Sequence, residues 1–290
     1  METDGCKKGC KKMLVAIDGS VTSMHALKES FKLAADEKSW ITVVSVVPPY
    51  EGDLDMVGIG NVQQAIRYPC ENALAEAAGA AKSARVLVKT VCEEGEPHER
   101  IIDLAEAENC DLIVMGRRGM RSAERVFVGS VTARVIGYSQ RDVLVVPLNA
   151  EVGWKNILLA TDGSRFSRIA GEKAVSFAQA YGGTLTAVSV VDVPPEFYGE
   201  APQAVEDLIG KARGYTEVAA AQAEAAGVAV HTVVREGESH RLIVALAHEM
   251  KASVIVMGSH GRTGLRRLLM GSVTEKVIAH AGCPIFVARL

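Results

Sequence analysis

What the chain lacks narrows its possibilities first. No apolar run among its 290 residues approaches the roughly eighteen that a membrane-spanning helix needs, so no membrane is expected as partner. Net charge is −3 with acids and bases interspersed, which implies neither nucleic acid nor an anionic bilayer. The first twelve residues are charged and have no apolar core of the kind a secretory signal carries; a solvated tail and a cytoplasmic protein are the expectation. There are six cysteines but no Cys-x-x-Cys pair spaced for zinc, and free thiols are expected. Cys6 and Cys10, set among Lys7, Lys8, Lys11 and Lys12, leave a lysine-activated redox pair or a metal clip as the less favoured alternative to a plain tail.

What is present repeats. Met13 to Ile17 is a short β-branched run that ends in Asp18-Gly19-Ser20, and Met24, Leu27, Phe31 and Ala34 follow at helical spacing. Further strands are expected at 41–47, 85–92, 112–115 and 142–148. Helices are expected over 63–84, where Pro69 would kink or restart the coil, and around Ile101 to Ala105. From Trp154 the order begins again, with strands at 156–161, 184–191, 228–235, 254–257 and 284–290 and a long helix through Ala226. Strands joined by helical crossovers lie parallel with helices on both faces, which makes each half a doubly wound α/β domain. The expected division is a tail (1–12), a first domain (13–148), a linker (149–153) and a second domain (154–290). Ligands of such sheets bind outside the carboxyl ends of the strands, where strand order reverses.

Two glycine constellations stand at such strand ends. Gly258-Ser259-His260-Gly261-Arg262-Thr263-Gly264 follows Val254 to Met257 and leads to Gly271-Ser272-Val273-Thr274, just ahead of Val277 and Ile278. Without a Cβ, glycines let backbone N–H groups turn toward an anion, and Ser272 or Thr274 as a helix cap would aim further N–H groups at a phosphate. Gly116-Arg117-Arg118-Gly119 and Gly129-Ser130-Val131-Thr132 repeat that spacing 142 residues earlier. One Gly-x-x-Gly turn is also what an empty strand-to-helix connection uses, whereas the long spacing occurring twice points to paired phosphate cradles. Neither cradle ends in Gly-Lys-Ser or Gly-Lys-Thr, so there is no P-loop lysine. Asp18 and Asp162 are placed to accept from a ribose hydroxyl or an adenine amine, with helix capping as the plain alternative. Arg117, Arg118, Arg121 and Arg125 surround one cradle, and His260, Arg262, Arg266 and Arg267 the other, a set of donors suited to a polyphosphate. Neither cradle repeats a His or Glu positioned as a base, so no catalytic residue and no metal-ligating side chain is assigned.

The doubled spacing resembles the universal stress protein family, in its nucleotide-binding branch, over nearly the whole chain. The resemblance implies a five-stranded parallel sheet in the order 3-2-1-4-5 for each half, and ATP or AMP as ligand with a divalent ion, Mg2+ or Mn2+, on the phosphates. In the second half the implied site takes Ala160, Thr161 and Asp162 from the first strand and Val190 from the second. The turn adds Met257, Gly258, Ser259, His260, Gly261, Arg262 and Thr263, and the helix adds Gly271, Ser272, Val273 and Thr274. The first half offers Ile17, Asp18, Val46 and Met115, then Gly116, Arg117, Arg118 and Gly119, then Gly129, Ser130, Val131 and Thr132. It is expected to bind less tightly, because Arg118 replaces His260 and Ser122 replaces Gly264. The family also implies that the last strands, 142–148 and 284–290, pair as an intramolecular pseudo-dimer that is open to further homodimerisation. The expected function is a stress-response regulatory module responsive to adenine nucleotide, without turnover as its main task. A slow ATP hydrolase and a scaffold with empty cradles are the alternatives.

Overall fold

The computed structural model describes residues 10–37, 39–49, 62–119, 127–262 and 270–289. The chain divides into two compact units, Cys10–Asn149 and Ala150–Leu290. In chain order the first unit holds β1 (Lys12–Ala16), α1 (Val21–Glu37), β2 (Trp40–Val47), α2 (Val62–Ala84), β3 (Val88–Glu94), α3 (Pro97–Ala107), β4 (Leu112–Gly116), α4 (Ser130–Tyr138) and β5 (Asp142–Val146). Its strands lie in the order β3-β2-β1-β4-β5, every pair parallel. The second unit holds β6 (Asn156–Ala160), α5 (Arg165–Tyr181), β7 (Thr184–Val191), α6 (Phe197–Glu200), α7 (Pro202–Ala225), β8 (Val230–Glu236), α8 (Ser239–Glu249), β9 (Val254–Gly258), α9 (Ser272–His280) and β10 (Ile285–Ala288). Its order, β8-β7-β6-β9-β10, repeats the first, again parallel throughout. Both are the expected doubly wound sheets.

Burial follows from this order. β1 pairs with β2 on one side and β4 on the other, so Met13 to Ala16 have neighbours all round and are buried, as a parallel strand covered on both faces requires. Helices α1 and α2 contact each other, as do α3 and α4, one pair for each face. Along α2 the buried residues are Cys70, Ala73, Leu74, Ala77 and Ala81, the stripe of a 3.6-residue period. Four of these five side chains are small, which lets the helix lie close against β2 and β3. The second unit builds an aromatic centre, with Trp154 stacked on Phe177 at 4.0 Å between centroids and edge-on to Phe286 at 6.1 Å. Trp154 is 5% exposed, whereas Trp40 of the first unit is 71% exposed.

Several boundaries differ from expectation for identifiable reasons. α2 runs through Pro69, which lies on the exposed side, where water can serve the carbonyl the ring leaves without a partner. Arg85, at a φ of 57°, ends that helix, so β3 begins at Val88 and runs on to Glu94. β5 stops at Val146, one residue before Pro147, which has no N–H for the ladder.

The expectation of free thiols is corrected at one pair. Cys70 of α2 and Cys92 of β3 form a disulfide with Cα atoms 6.3 Å apart. Their separation of 22 residues does not suggest a bridge; the helix returning antiparallel to the next strand brings them together. Cys110 and Cys283 are thiols, and burial pushes each up to about 11. Cys6 lies outside the described residues. Among the described residues no helix is long and apolar enough to cross a membrane.

Candidate functional site

Each unit turns from its first strand into its first helix through Asp-Gly-Ser. The glycine takes a left-handed φ, 79° at Gly19 and 76° at Gly163, which a side chain would strain. Asp18 Oδ1 accepts from the Ser20 N–H at 3.0 Å, and Ser20 Oγ in turn accepts from the Ser23 N–H at 3.2 Å. Asp162, Ser164 and Ser167 repeat this at 3.0 and 3.1 Å. The serines therefore cap the helices, and the aspartates hold the turns open.

The glycine cradles are built alike. Gly129 N–H donates to the Arg117 carbonyl at 3.0 Å and Gly271 N–H to the Ser259 carbonyl at 2.9 Å, closing the stem of each excursion. Thr132 Oγ1 donates to the Gly116 carbonyl at 3.1 Å and Thr274 Oγ1 to the Gly258 carbonyl at 3.0 Å. These bonds correct the expectation that Ser272 or Thr274 caps its helix. The caps are Gly129 and Gly271, which offer no side-chain acceptor, and the threonines bind back to the strand end instead. First-turn N–H groups lack intrahelical partners, so a glycine cap leaves them open to an anion.

In the first unit these parts meet at a cavity of about 550 Å³ above the carboxyl ends of β1, β2 and β4. Ile17, Asp18, Val46 and Met115 line it, with Gly116, Arg118 and Gly119 from the turn and Gly129, Ser130, Val131 and Thr132 from the start of α4. Of the residues expected in this half, Arg117 alone is not part of the lining. Its guanidinium pKa is held below the ordinary value by burial and then by the charge on Arg118. Arg118 Nε donates to the Phe127 carbonyl at 3.1 Å, spanning the two ends of the turn. Gly119 lies so close to Asp18 that a Cβ there would collide with its carboxylate. Sequence reasoning missed the apolar walls: Val44, Pro48 and Pro49 from the end of β2, Ile66, Pro69 and Cys70 from α2, and Pro97 and Ile101 from α3. They carry no motif, and only the packing of helix on sheet brings them to the site.

A family model, that of the universal stress protein family, matches residues 9–147 and again residues 153–289. The chain belongs to the universal stress protein family. A universal stress protein of Mycolicibacterium smegmatis is 27% identical over 292 residues, covering 96% of each chain. One from Methanocaldococcus jannaschii is 39% identical over 146 residues, which is 49% of this chain and 85% of that one. Among solved structures, the fold matches a universal stress protein from Archaeoglobus fulgidus with a TM-score of 0.70 at 24% identity, covering 96% of both chains.

The second cradle of this universal stress protein has the same skeleton but different surroundings. Ala160 ends β6, Thr161 is buried, Val190 is half-buried in β7, and Met257, Gly258 and Ser259 are buried at the end of β9. Asp162 Oδ2 accepts from the Arg262 N–H at 3.0 Å, and a Cβ on Gly261 would approach that same oxygen. Tyr215 of α7 fills the space against Gly163, where among the described residues the first unit has the Cβ of Ala73 beside Gly19. The Arg262 guanidinium lies 5.9 Å from the Tyr215 ring centre. His260 Nδ1 is 3.1 Å from Ser259 Oγ, and its ring is 5.3 Å from that of Phe166. A smaller cavity of about 260 Å³ opens between α5 and α7, touching Thr161 and Gly163 but not the cradle glycines. Ser272 and Val273 are exposed at the start of α9. Thr263 and Gly264 lie outside the described residues, as do Arg121, Ser122, Arg125, Arg266 and Arg267. Among the described residues no three His, Cys, Asp or Glu side chains gather as a metal site.

Proposed function

We propose that this universal stress protein binds an adenine nucleotide, ATP or AMP, in the cavity of its first unit and serves as a nucleotide-responsive regulatory module of the cytoplasm. One observation carries the reading. Segments far apart in sequence, around Asp18, Val46, Gly116 to Gly119 and Gly129 to Thr132, line a single space of about 550 Å³, within the size range of small-molecule sites. The apolar wall at Val46 suits a base, and Asp18 suits a ribose hydroxyl or an adenine amine. The first turn of α4 and Arg118 suit phosphate, with Mg2+ or Mn2+ carried on the phosphate oxygens. This ranking reverses the expectation that the second half binds more tightly. Its extra donors favoured that half, whereas the first is favoured here because its expected site residues line the cavity of about 550 Å³.

A regulatory role is favoured over turnover because Asp18, the carboxylate among the described lining residues, is already engaged by the Ser20 N–H as part of its turn. We also propose that the last strands of the two units pair as the family resemblance implies. The test of ligand identity is to purify the full chain, identify any nucleotide that comes with it, and titrate the stripped protein with ATP and AMP, with and without Mg2+. Saturable binding supports the reading; a chain that carries none and takes up none is a scaffold.

A further inference from the structure

The disulfide Cys70–Cys92 sits in the wall of the first unit's cavity. Cys70 is 4% exposed, and with Ile66 and Pro69 it forms the face that α2 presents to that space. Cys92 is half-buried in β3, in register with Ser45 of β2. Cys70 Sγ is 3.4 Å from the Ser45 carbonyl oxygen, so a thiol formed there would have an acceptor at once. The bond is the covalent tie between the helix that makes one wall of the cavity and the sheet that makes its floor. The second unit has no counterpart. Val234 stands opposite Ser189 as Cys92 stands opposite Ser45, and Ala212 follows Cys70 by the same 142 residues.

We propose that Cys70–Cys92 is a reversible redox site that sets the affinity of the cavity for its ligand, the oxidised form binding more tightly. This rests on the nucleotide reading of the cavity. Reduction uses a small-molecule thiol. Its thiolate attacks one sulfur and forms a mixed disulfide, while the other cysteine leaves as a thiolate and takes up a proton. A second thiol then displaces the first cysteine, which is protonated in turn, so two external thiols end as one disulfide and two cysteine thiols are gained. A low-molecular-weight disulfide drives the reverse. While the bond is intact, α2 is fixed and its wall is pre-organised for the ligand. Once it is cut, the helix is held by packing alone, and part of the binding energy goes into ordering it. Linkage makes the effect reciprocal, so ligand in the cavity stabilises the disulfide by the same factor.

The test uses the full chain, oxidised and reduced, with the two forms verified by a difference of two titratable thiols. Each is titrated with ATP and Mg2+. The expected result is binding weaker by about fivefold or more in the reduced form, the lower range of allosteric coupling, and a dithiothreitol equilibrium shifted toward the intact disulfide by the same factor when ATP is present. Cys70→Ala combined with Cys92→Val installs the residues of the second unit, so it is expected to fold; it should bind like the reduced form whatever the redox conditions. Equal affinity of the oxidised and reduced forms, with binding present in both, overturns the proposal while leaving the nucleotide reading in place. Binding in neither form overturns the nucleotide reading, and the coupling falls with it.

Discussion

A side chain added at Gly119 would collide with the carboxylate of Asp18, so the two residues form one functional joint. Gly119→Val is expected to displace the acid and block the backbone from the phosphate. Loss of one charge-assisted hydrogen bond costs on the order of 1.5 to 3 kcal/mol, or roughly ten- to a hundredfold in affinity. Titration with ATP and Mg2+ should show that fall for Gly119→Val and a smaller one for Gly261→Val; the opposite ranking would return the principal site to the second unit. A different residue carries a pH dependence. His240, nearly buried in the first turn of α8, has an imidazole pKa below the ordinary value, first through burial and then through the charges of Lys276, His280 and Arg241, against the opposing effect of Glu238. With the folded value below the unfolded one, the unfolded chain takes up the proton first as pH falls. His240 therefore costs no stability above the ordinary imidazole pKa, and stability is lost as pH drops through it toward the folded value. The urea midpoint should decline as pH falls below the ordinary imidazole pKa, and His240→Gln should flatten that decline.

At the scale of elements, the threonine ties fix how strand and helix meet at each cradle. Thr132→Val keeps the shape of a buried side chain but deprives the Gly116 carbonyl of its donor. An unsatisfied buried acceptor costs about 1 to 3 kcal/mol, so urea denaturation should show a loss of that size, with Thr274→Val giving the same in the second unit. The elements themselves were largely legible in the sequence, because runs such as Val254 to Met257 are short, β-branched and bounded by glycine, and their repetition separated motif from accident. The caps were less so. Ser272 and Thr274 both resemble capping residues, but Gly271 takes the cap position and the Thr274 hydroxyl bonds the Gly258 carbonyl instead. The Cys70–Cys92 bond and the α2 wall were not legible at all, since they depend on which turn of a long helix crosses which rung of β2 and β3.

For the molecule as a whole, the contrast between the units turns on single positions in otherwise matching scaffolds. Ala73 beside Gly19 and Tyr215 against Gly163 are equivalent in place and opposite in bulk, a difference that donor counting in the sequence could not weigh. If the last strands pair as proposed, residues 13–148 and 154–290 produced separately should associate on mixing; halves that stay monomeric at high concentration with no affinity for each other would argue against it. Turnover of ATP is expected at no more than about one per minute, against a usual enzyme median near 10 per second. A rate near that median, lost on Gly119→Val, would make the protein an ATPase.

The placement of the two tryptophans bears on how any of this can be watched. Trp154 is enclosed by Phe177 and Phe286, whereas Trp40 stands in solvent. Indole emission shifts to longer wavelength when the ring passes from an apolar enclosure into water, so unfolding should move the Trp154 spectrum and leave that of Trp40 almost unchanged. Intrinsic fluorescence of the native chain is thereby a built-in optical label for the second unit alone, and a Trp40→Phe variant should give the same unfolding curve with a quieter baseline.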